Sequence, residues 1–227
     1  MAKTAMAKTA MVIGATGLIG RALVDQLLGQ DEVHKVITLT RRPLVIEHDK
    51  FENHQIDFSQ IEEHKDYFNQ VDLFFSCLGT TKKKVGTIAK QRVVDLDYQY
   101  RAAKLALQAG VENYFLVSSS HASAHSLSPY LKMKGELEDK VIDLGFKYCV
   151  ILQPSLLIGE REELRLAEWL GAKFMPILGH IPGLKSYRPI TGMAVAAKMV
   201  AIALEDNSKK SGRAFAPVTY YRLEQIF

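Results

Sequence analysis

A chain of 227 residues with 48% hydrophobic content can bury a full core, and its length fits one large domain. The formal net charge of +4 is spread along the sequence, so a nucleic-acid partner is not expected, and no apolar stretch approaches the roughly 20 residues that span a bilayer. Cys77 and Cys149 lie in apolar runs with no Cys or His at metal spacing, and they read as reduced, buried thiols of a cytoplasmic protein with no metal site.

The opening Met1-Ala2-Lys3-Thr4-Ala5 is repeated as Met6-Ala7-Lys8-Thr9-Ala10. It lacks the long apolar core of a signal peptide, so residues 1–10 are expected to be a duplicated, disordered segment outside a domain spanning 11–227. The next run, Met11-Val12-Ile13-Gly14-Ala15-Thr16-Gly17-Leu18-Ile19-Gly20, is an apolar strand breaking into a glycine turn and a helix. Such a turn binds a dinucleotide pyrophosphate. The first glycine permits the tight turn, the second lets backbone N–H groups approach phosphate, and the third lets helix and strand pack closely. Phosphate charge then faces the positive end of the helix dipole.

Beyond it, short apolar strands alternate with segments of helical period, the pattern of an α/β fold with a doubly wound parallel sheet. Helices are expected near Leu18–Leu28, Ile88–Ala109, Ser128–Leu144, Glu162–Leu170 and Met193–Leu204. Strands are expected near Lys35–Leu39, Gln55–Asp57, Leu73–Cys77, Tyr114–Val117, Cys149–Leu152 and Ala214–Ala216. The basic cluster Lys82-Lys83-Lys84 reads as a solvated loop, with a phosphate contact as the alternative. The stretch Gly171–Pro189, rich in Gly and Pro, reads as a loop closing over a site on the substrate side.

An NAD-selective site usually ends its second strand with a carboxylate for the ribose 2′-hydroxyl. Here that position reads Thr40-Arg41-Arg42-Pro43. A guanidinium binds a 2′-phosphate through charge-assisted bonds where a carboxylate repels it, so NADP(H) is favoured over NAD(H). Asp57 is placed to meet the adenine edge, and Leu78-Gly79-Thr80 to pass the nicotinamide ribose.

The fifth strand runs into Val117-Ser118-Ser119-Ser120, and a helix follows with Ser128 as cap and Pro129 in its first turn. On that helix Tyr130 and Lys134 are four residues apart and share a face. A free phenol has a pKa of about 10, and an adjacent ammonium brings it closer to working pH. With a serine hydroxyl binding the substrate oxygen, these are the protein groups a carbonyl reductase needs.

With these motifs the chain resembles the short-chain dehydrogenase/reductases, in their extended and atypical branch, from Met11 onward. It is more narrowly similar to the Tat-interactive-protein group through Thr40-Arg41-Arg42, Cys77-Leu78-Gly79-Thr80-Thr81, Val94-Asp95-Leu96-Asp97-Tyr98, Tyr130-Leu131-Lys132-Met133-Lys134-Gly135-Glu136 and Leu152-Gln153-Pro154. The resemblance implies that Tyr130 is the proton donor and acceptor. It implies that Lys134 lowers the Tyr130 pKa and holds the nicotinamide ribose. Ser119, with Ser118 as the adjacent alternative, orients the substrate. It also places Leu78, Leu157 and Arg165 beside the cofactor; for Arg165 the competing reading is a surface ion pair with Glu160, Glu162 or Glu163. Two positions depart from the family pattern: Asp95 stands where many members carry a relay asparagine, and Gln153-Pro154 where Arg-Pro is usual. His121 and His125, between Ser120 and Tyr130, read as exposed loop residues, with substrate contact as the alternative.

These readings imply an NADP(H)-dependent oxidoreductase acting on a small carbonyl or alcohol substrate, with a homodimer as an open possibility. The competing readings are a nucleotide-sugar-type epimerase or dehydratase, and an NADP(H)-binding regulator acting through protein partners.

Overall fold

The first strand, β1 (Lys8–Ile13), is apolar on both sides because both faces of the sheet are covered, and its alternate residues feed two separate cores. The computed structural model describes residues 7–155, 157–158, 190–205 and 218–222. Ala10 and Val12 pack toward α1 (Leu18–Leu28) and α6 (Gly192–Leu204), which lie together on one face. Met11 and Ile13 pack toward the 3₁₀ segment Phe58–Phe68 and, further along the chain, α4 (Tyr98–Gln108) and α5 (Pro129–Asp143) on the other.

The remaining strands of the main sheet are β2 (Val33–Thr40), β3 (Phe51–Gln55), β4 (Leu73–Ser76), β5 (Asn113–Val117), β6 (Tyr148–Gln153) and β9 (Val218–Arg222). They form one seven-stranded sheet in the order β3-β2-β1-β4-β5-β6-β9, every pairing parallel. A separate pair, β7 (Leu157–Ile158) and β8 (Ile190–Thr191), precedes α6. The fold is a single Rossmann-like domain, as the alternating pattern implies. The chain direction across the sheet switches between β1 and β4, and ligands of such sheets bind at the carboxyl ends of the strands flanking that switch.

Several boundaries differ from those expected of the sequence. The second copy of the N-terminal repeat is partly inside the fold. Lys8, Thr9 and Ala10 belong to β1, the Thr9 N–H donates to Asp72 Oδ2 at 2.7 Å, and Lys8 Nζ donates to the Ala203 carbonyl at 3.1 Å. Residues 1–6 lie outside the described residues. The third strand lies earlier than expected because Phe51-Glu52-Asn53-His54-Gln55 is an edge strand with polar side chains, defined by its pairing to β2 rather than by an apolar run. Lys82–Val85 forms a helical turn, α2, rather than a loop. The expected helix Ile88–Ala109 is α3 (Ile88–Arg92), a π-helical turn at Val93–Asp97, and α4 in succession. The last strand is β9, later than Ala214–Ala216, which lies outside the described residues along with Glu162–Leu170 and Gly171–Pro189.

Helix α5 starts where Ser128 Oγ accepts from the Leu131 N–H. One turn on, the loop 118–128 passes so near the helix that a Cβ on Gly135 would lie 2.2 Å from the Ser123 carbonyl carbon and 2.3 Å from the Ala124 nitrogen. Neither is a flexible side-chain end. Gly135→Ala is therefore expected to destabilise the domain by about 1–3 kcal/mol, read as a lower urea midpoint with an unchanged slope. Parental stability in the variant would show that the loop moves freely away from the helix.

Candidate functional site

At the end of β1 the backbone turns through Gly14, whose φ of +83° favours glycine, and a Cβ there would lie 2.4 Å from the Cys77 carbonyl. The Gly17 N–H closes the turn on the Gly14 carbonyl at 2.9 Å, and a Cβ on Gly20 would meet that same oxygen at 2.2 Å. Helix α1 begins immediately. Its N-cap, Gly17, supplies no side-chain cap, and no acidic residue occupies its first turn. The backbone N–H groups at this end therefore face outward with the positive pole of the helix.

Strand β2 ends at Thr40. Asn53 Oδ1 accepts from the hydroxyls of Thr38 and Thr40, each at 2.8 Å, and Gln55 Nε2 donates to the Arg41 carbonyl at 3.3 Å. These bonds fix the strand end from which Arg41 and Arg42 project, both exposed. A cleft of about 410 Å³ joins the two features. Gly14, Thr16, Gly17, Arg41, Arg42, Leu78 and Gly79 line it, all residues singled out by the sequence. Leu18, Ile19 and Gly20 form the first turn of α1 directly behind it.

Asp57 does not line this cleft. It faces a shallower neighbouring recess with Arg41, Gln55 and Ile56, and its carboxylate caps the 3₁₀ segment through the Ser59 N–H at 2.8 Å. Those bonds to Ser59 hold its pKa below the usual range. Phe58, the next residue, lines the main cleft together with Tyr98, their rings 5.8 Å apart. Sequence reasoning missed this aromatic wall, although Phe58 directly follows the expected strand Gln55–Asp57. It also set Lys84 aside as part of a solvated loop, yet Lys84 lines the cleft.

Beyond Cys77–Thr80 the floor of the cleft adjoins a cluster of buried charges. Asp95 and Lys134 are each 2% exposed and Glu138 is 4% exposed. The π turn presents Asp95 so that its Oδ2 accepts from the Thr80 N–H at 2.9 Å. Its carbonyl accepts from Gln99 Nε2 at 2.6 Å, and Gln99 Oε1 in turn accepts from Ser76 Oγ at 2.8 Å. Burial pushes the Asp95 carboxyl up to about 6, against the opposing pull of Lys134 and the Thr80 N–H. Lys134 Nζ donates to the Val117 carbonyl at 2.9 Å; burial lowers its pKa, opposed by Asp95 and Glu138. Glu138 accepts from Ser118 Oγ and, at 3.1 Å to each oxygen, from Gln153 Nε2, while burial raises its pKa.

The two serines thus differ. The Ser118 hydroxyl is held by Glu138, whereas the Ser119 hydroxyl is near enough to the Tyr130 phenol to oppose the rise in its pKa. Tyr130 is 38% exposed and, like Ser119 and Lys134, does not line the cleft; its pKa is raised by desolvation and by Asp95, with Ser119 acting in the opposite direction. The Tyr130 pKa is raised rather than lowered, and Ser119, not Lys134, is the group that opposes the rise. Although Tyr130 and Lys134 share a helix face, the lysine lies a turn deeper, where Asp95 and Glu138 balance its charge. The Gln153 amide completes the hydrogen bonding of Glu138, which accounts for a neutral residue at that position.

Cys77 and Cys149 are free thiols, each pushed up to about 12 by burial. His121 and His125 are exposed. Leu157 is half-buried beside the core that holds α1 and α6, and Arg165 lies outside the described residues. Among the described residues no helix is long and apolar enough to cross a membrane.

Comparison with known proteins agrees with this geometry. Residues 14–170 match the family described as NAD(P)H-binding. Protein HTATIP2 of Rattus norvegicus is 35% identical over 208 residues, spanning 90% of this chain and 83% of the relative. "Protein FMP52, mitochondrial" of Coccidioides immitis is 33% identical over 213 residues, spanning 88% and 86%. The solved structure of MoeE5 in complex with UDP-glucose and NAD superposes with a TM-score of 0.69 at 19% identity, over 94% of this chain and 76% of that one. The expected cytoplasmic location is corrected by these relatives, several of which are named mitochondrial and point away from a purely cytoplasmic protein. Two free thiols, Cys149 buried and Cys77 half-buried, distinguish reducing from oxidising surroundings, not one reducing compartment from another.

The buried Asp95 makes stability depend on pH. A carboxyl with its folded pKa raised from 3.8 to about 6 contributes stability that is fully present below the unfolded value and is lost as pH rises through about 6. Asp95→Asn is therefore expected to lose less stability than the parent between pH 4 and pH 7 in urea titrations. Parallel profiles for the two proteins would count against a raised carboxyl.

Proposed function

The chain belongs to the NAD(P)H-binding family, among the atypical short-chain dehydrogenase/reductases related to HTATIP2 and FMP52, and from that premise we propose that it is an NADP(H)-dependent oxidoreductase acting on a carbonyl or alcohol substrate. The observation that carries the reading is the single cleft lined by the glycine turn and by Arg41 and Arg42, whose wall at Thr80 is bound by Asp95, a group whose charge acts on Tyr130 as the Ser119 hydroxyl also does. The residues present suit the dinucleotide. Gly14 and Gly20 let the turn close tightly where any Cβ would collide with the backbone of Cys77 or of Gly14, and the uncapped start of α1 offers backbone N–H groups to a pyrophosphate. Arg41 and Arg42 supply charge for a 2′-phosphate.

When bound, the nicotinamide supplies or accepts the hydride. In the reducing direction Tyr130 then gives its proton to the substrate oxygen, and Ser119 donates a hydrogen bond to that oxygen as charge develops. The raised Tyr130 pKa keeps the phenol protonated before reaction, which suits a proton donor. By the family resemblance Lys134, now bonded to the Val117 carbonyl, would be the residue to hold the nicotinamide ribose. One observation favours a second reading, an NADP(H)-binding regulator: the Lys134 charge is directed at Asp95 and Glu138 rather than at Tyr130.

Calorimetry is expected to give tighter binding of NADPH than of NADH. Arg41→Ala or Arg42→Ala should narrow the gap by about 1.5–3 kcal/mol, the worth of a hydrogen bond to a charged group. Equal affinity of the parent protein for both cofactors would refute the NADP(H) preference.

A screen of small aldehydes and ketones is expected to find slow NADPH oxidation. Tyr130→Phe should keep cofactor affinity while turnover falls by roughly 100- to 10,000-fold. Cofactor binding with no turnover across the panel would favour the regulator. Undiminished turnover in Tyr130→Phe would remove Tyr130 as proton donor.

A further inference from the structure

The lining of the nucleotide cleft contains three cations and no carboxylate: Arg41 and Arg42 from the end of β2, and Lys84 from α2 beyond β4. Lys84 is exposed, and the ion pairs found among the described residues involve none of the three. We propose that Lys84 is a third phosphate-binding residue, reaching the adenosine 2′-phosphate of NADP(H) from the β4 side while Arg41 and Arg42 hold it from the β2 side. The proposal rests on the NADP(H) reading given above and extends it to a residue on a separate element.

The turn carrying Lys84 is held at several points, unlike a solvated loop. Both backbone groups of Thr80 are fixed: its N–H donates to Asp95 at 2.9 Å, and its carbonyl accepts from Gln91 Nε2 at 3.0 Å. Both partners are almost fully buried, Asp95 at 2% and Gln91 at 4% exposure. Thr81 Oγ1 then accepts from the Lys84 N–H itself at 3.3 Å, and the Gly86 N–H closes the turn on the Lys82 carbonyl at 2.7 Å. Gly86 has φ of +89°, and a Cβ there would meet nothing within 4 Å, so backbone conformation rather than packing requires glycine. These constraints place Lys84 in the cleft lining and leave Lys82 and Lys83 out of it.

Charge matching selects the phosphate. The pyrophosphate is already provided for by the uncapped N-terminus of α1. The cations lie on side chains flanking the cleft, and a phosphate monoester carries about −1.5 to −2 charge at pH 7 and three strong acceptor oxygens. The two arginines match that charge from the β2 side, and a lysine adds a point-charge donor to the oxygens that face β4, without the fixed geometry of a bidentate arginine.

The test is a set of calorimetric titrations of the full chain with NADPH, NADH and 2′,5′-ADP, comparing the parent with Lys84→Gln, Lys84→Arg, Lys82→Gln and Lys83→Gln. The three glutamine variants remove the same charge from the same exposed turn, so long-range electrostatics alone would affect them alike. Lys84→Gln is expected to weaken NADPH and 2′,5′-ADP by about tenfold or more, to leave NADH affinity unchanged, and to be rescued by arginine. The other two glutamine variants should bind as the parent does. Equal effects of all three, or equal loss of NADPH and NADH in Lys84→Gln, would overturn the proposal, the latter by assigning Lys84 to the pyrophosphate. An inert Lys84→Gln alongside a parent that prefers NADPH and loses that preference in Arg41→Ala overturns the role of Lys84 alone. A parent without that preference overturns the NADP(H) reading and this proposal with it.

Discussion

The contact on which the site depends is the approach of the Gly14 turn to the backbone of Cys77 and Leu78, too close for any Cβ. It occurs at the carboxyl ends of β1 and β4, where the sheet order reverses direction. One strand end must turn sharply without a side chain for the next loop to lie against it. That requirement places the glycines, frees the start of α1, and directs the chain after β4 along the cleft through Leu78, Gly79 and Thr80. Arg41 and Arg42 enter the same space because β2 is the direct neighbour of β1, paired from Lys8 with Val33 to Ile13 with Leu39.

A second constraint is electrostatic. Asp95, Lys134 and Glu138 bring two carboxyl groups and one amine into an interior where each isolated charge is costly. Each has a specific hydrogen-bonding partner: the Thr80 N–H, the Val117 carbonyl, and the pair Ser118 and Gln153. The single ammonium does not offset the desolvation of both acids, and both carboxyl pKa values are raised. The π turn is part of this arrangement. Its wider winding alters the helical hydrogen-bonding pattern near Asp95, and the buried Gln99 amide binds the Asp95 carbonyl from within the same helical run.

What could be read from the sequence follows from how local each signal is. The glycine turn, the paired arginines and the cap of α5 depend on neighbouring residues, and their positions matched α1, the end of β2 and Ser128. Long-range choices were less legible. Strand β3 has no apolar run, so only its pairing with β2 reveals where it begins. The π turn breaks a helical period that looks continuous in sequence, and the bonds that surround it, Thr80 to Asp95 and Ser76 to Gln99, join residues too far apart in the chain to show in that period. Helical spacing correctly put Tyr130 and Lys134 on one face but could not show that Asp95 and Glu138 surround the lysine. Nor could composition reveal that one lysine of three lines a cleft, since this depends on the hydrogen bonds of Thr80 and on the turn at Gly86.

Cys77 joins the two halves of the site. Its backbone abuts Gly14 on the nucleotide side, and the field of Lys134 reaches its thiol on the other. Burial pushes that thiol up to about 12, so it is a packed, neutral group at physiological pH rather than a nucleophile. Cys77, half-buried at the end of β4, therefore lies between the glycine turn and the lysine. The cleft wall runs from Gly14 to Thr80, and Thr80 binds Asp95, whose charge acts on both Lys134 and Tyr130. The carboxyl ends of β1 and β4 thereby tie the lining of the cleft to the buried charges behind it.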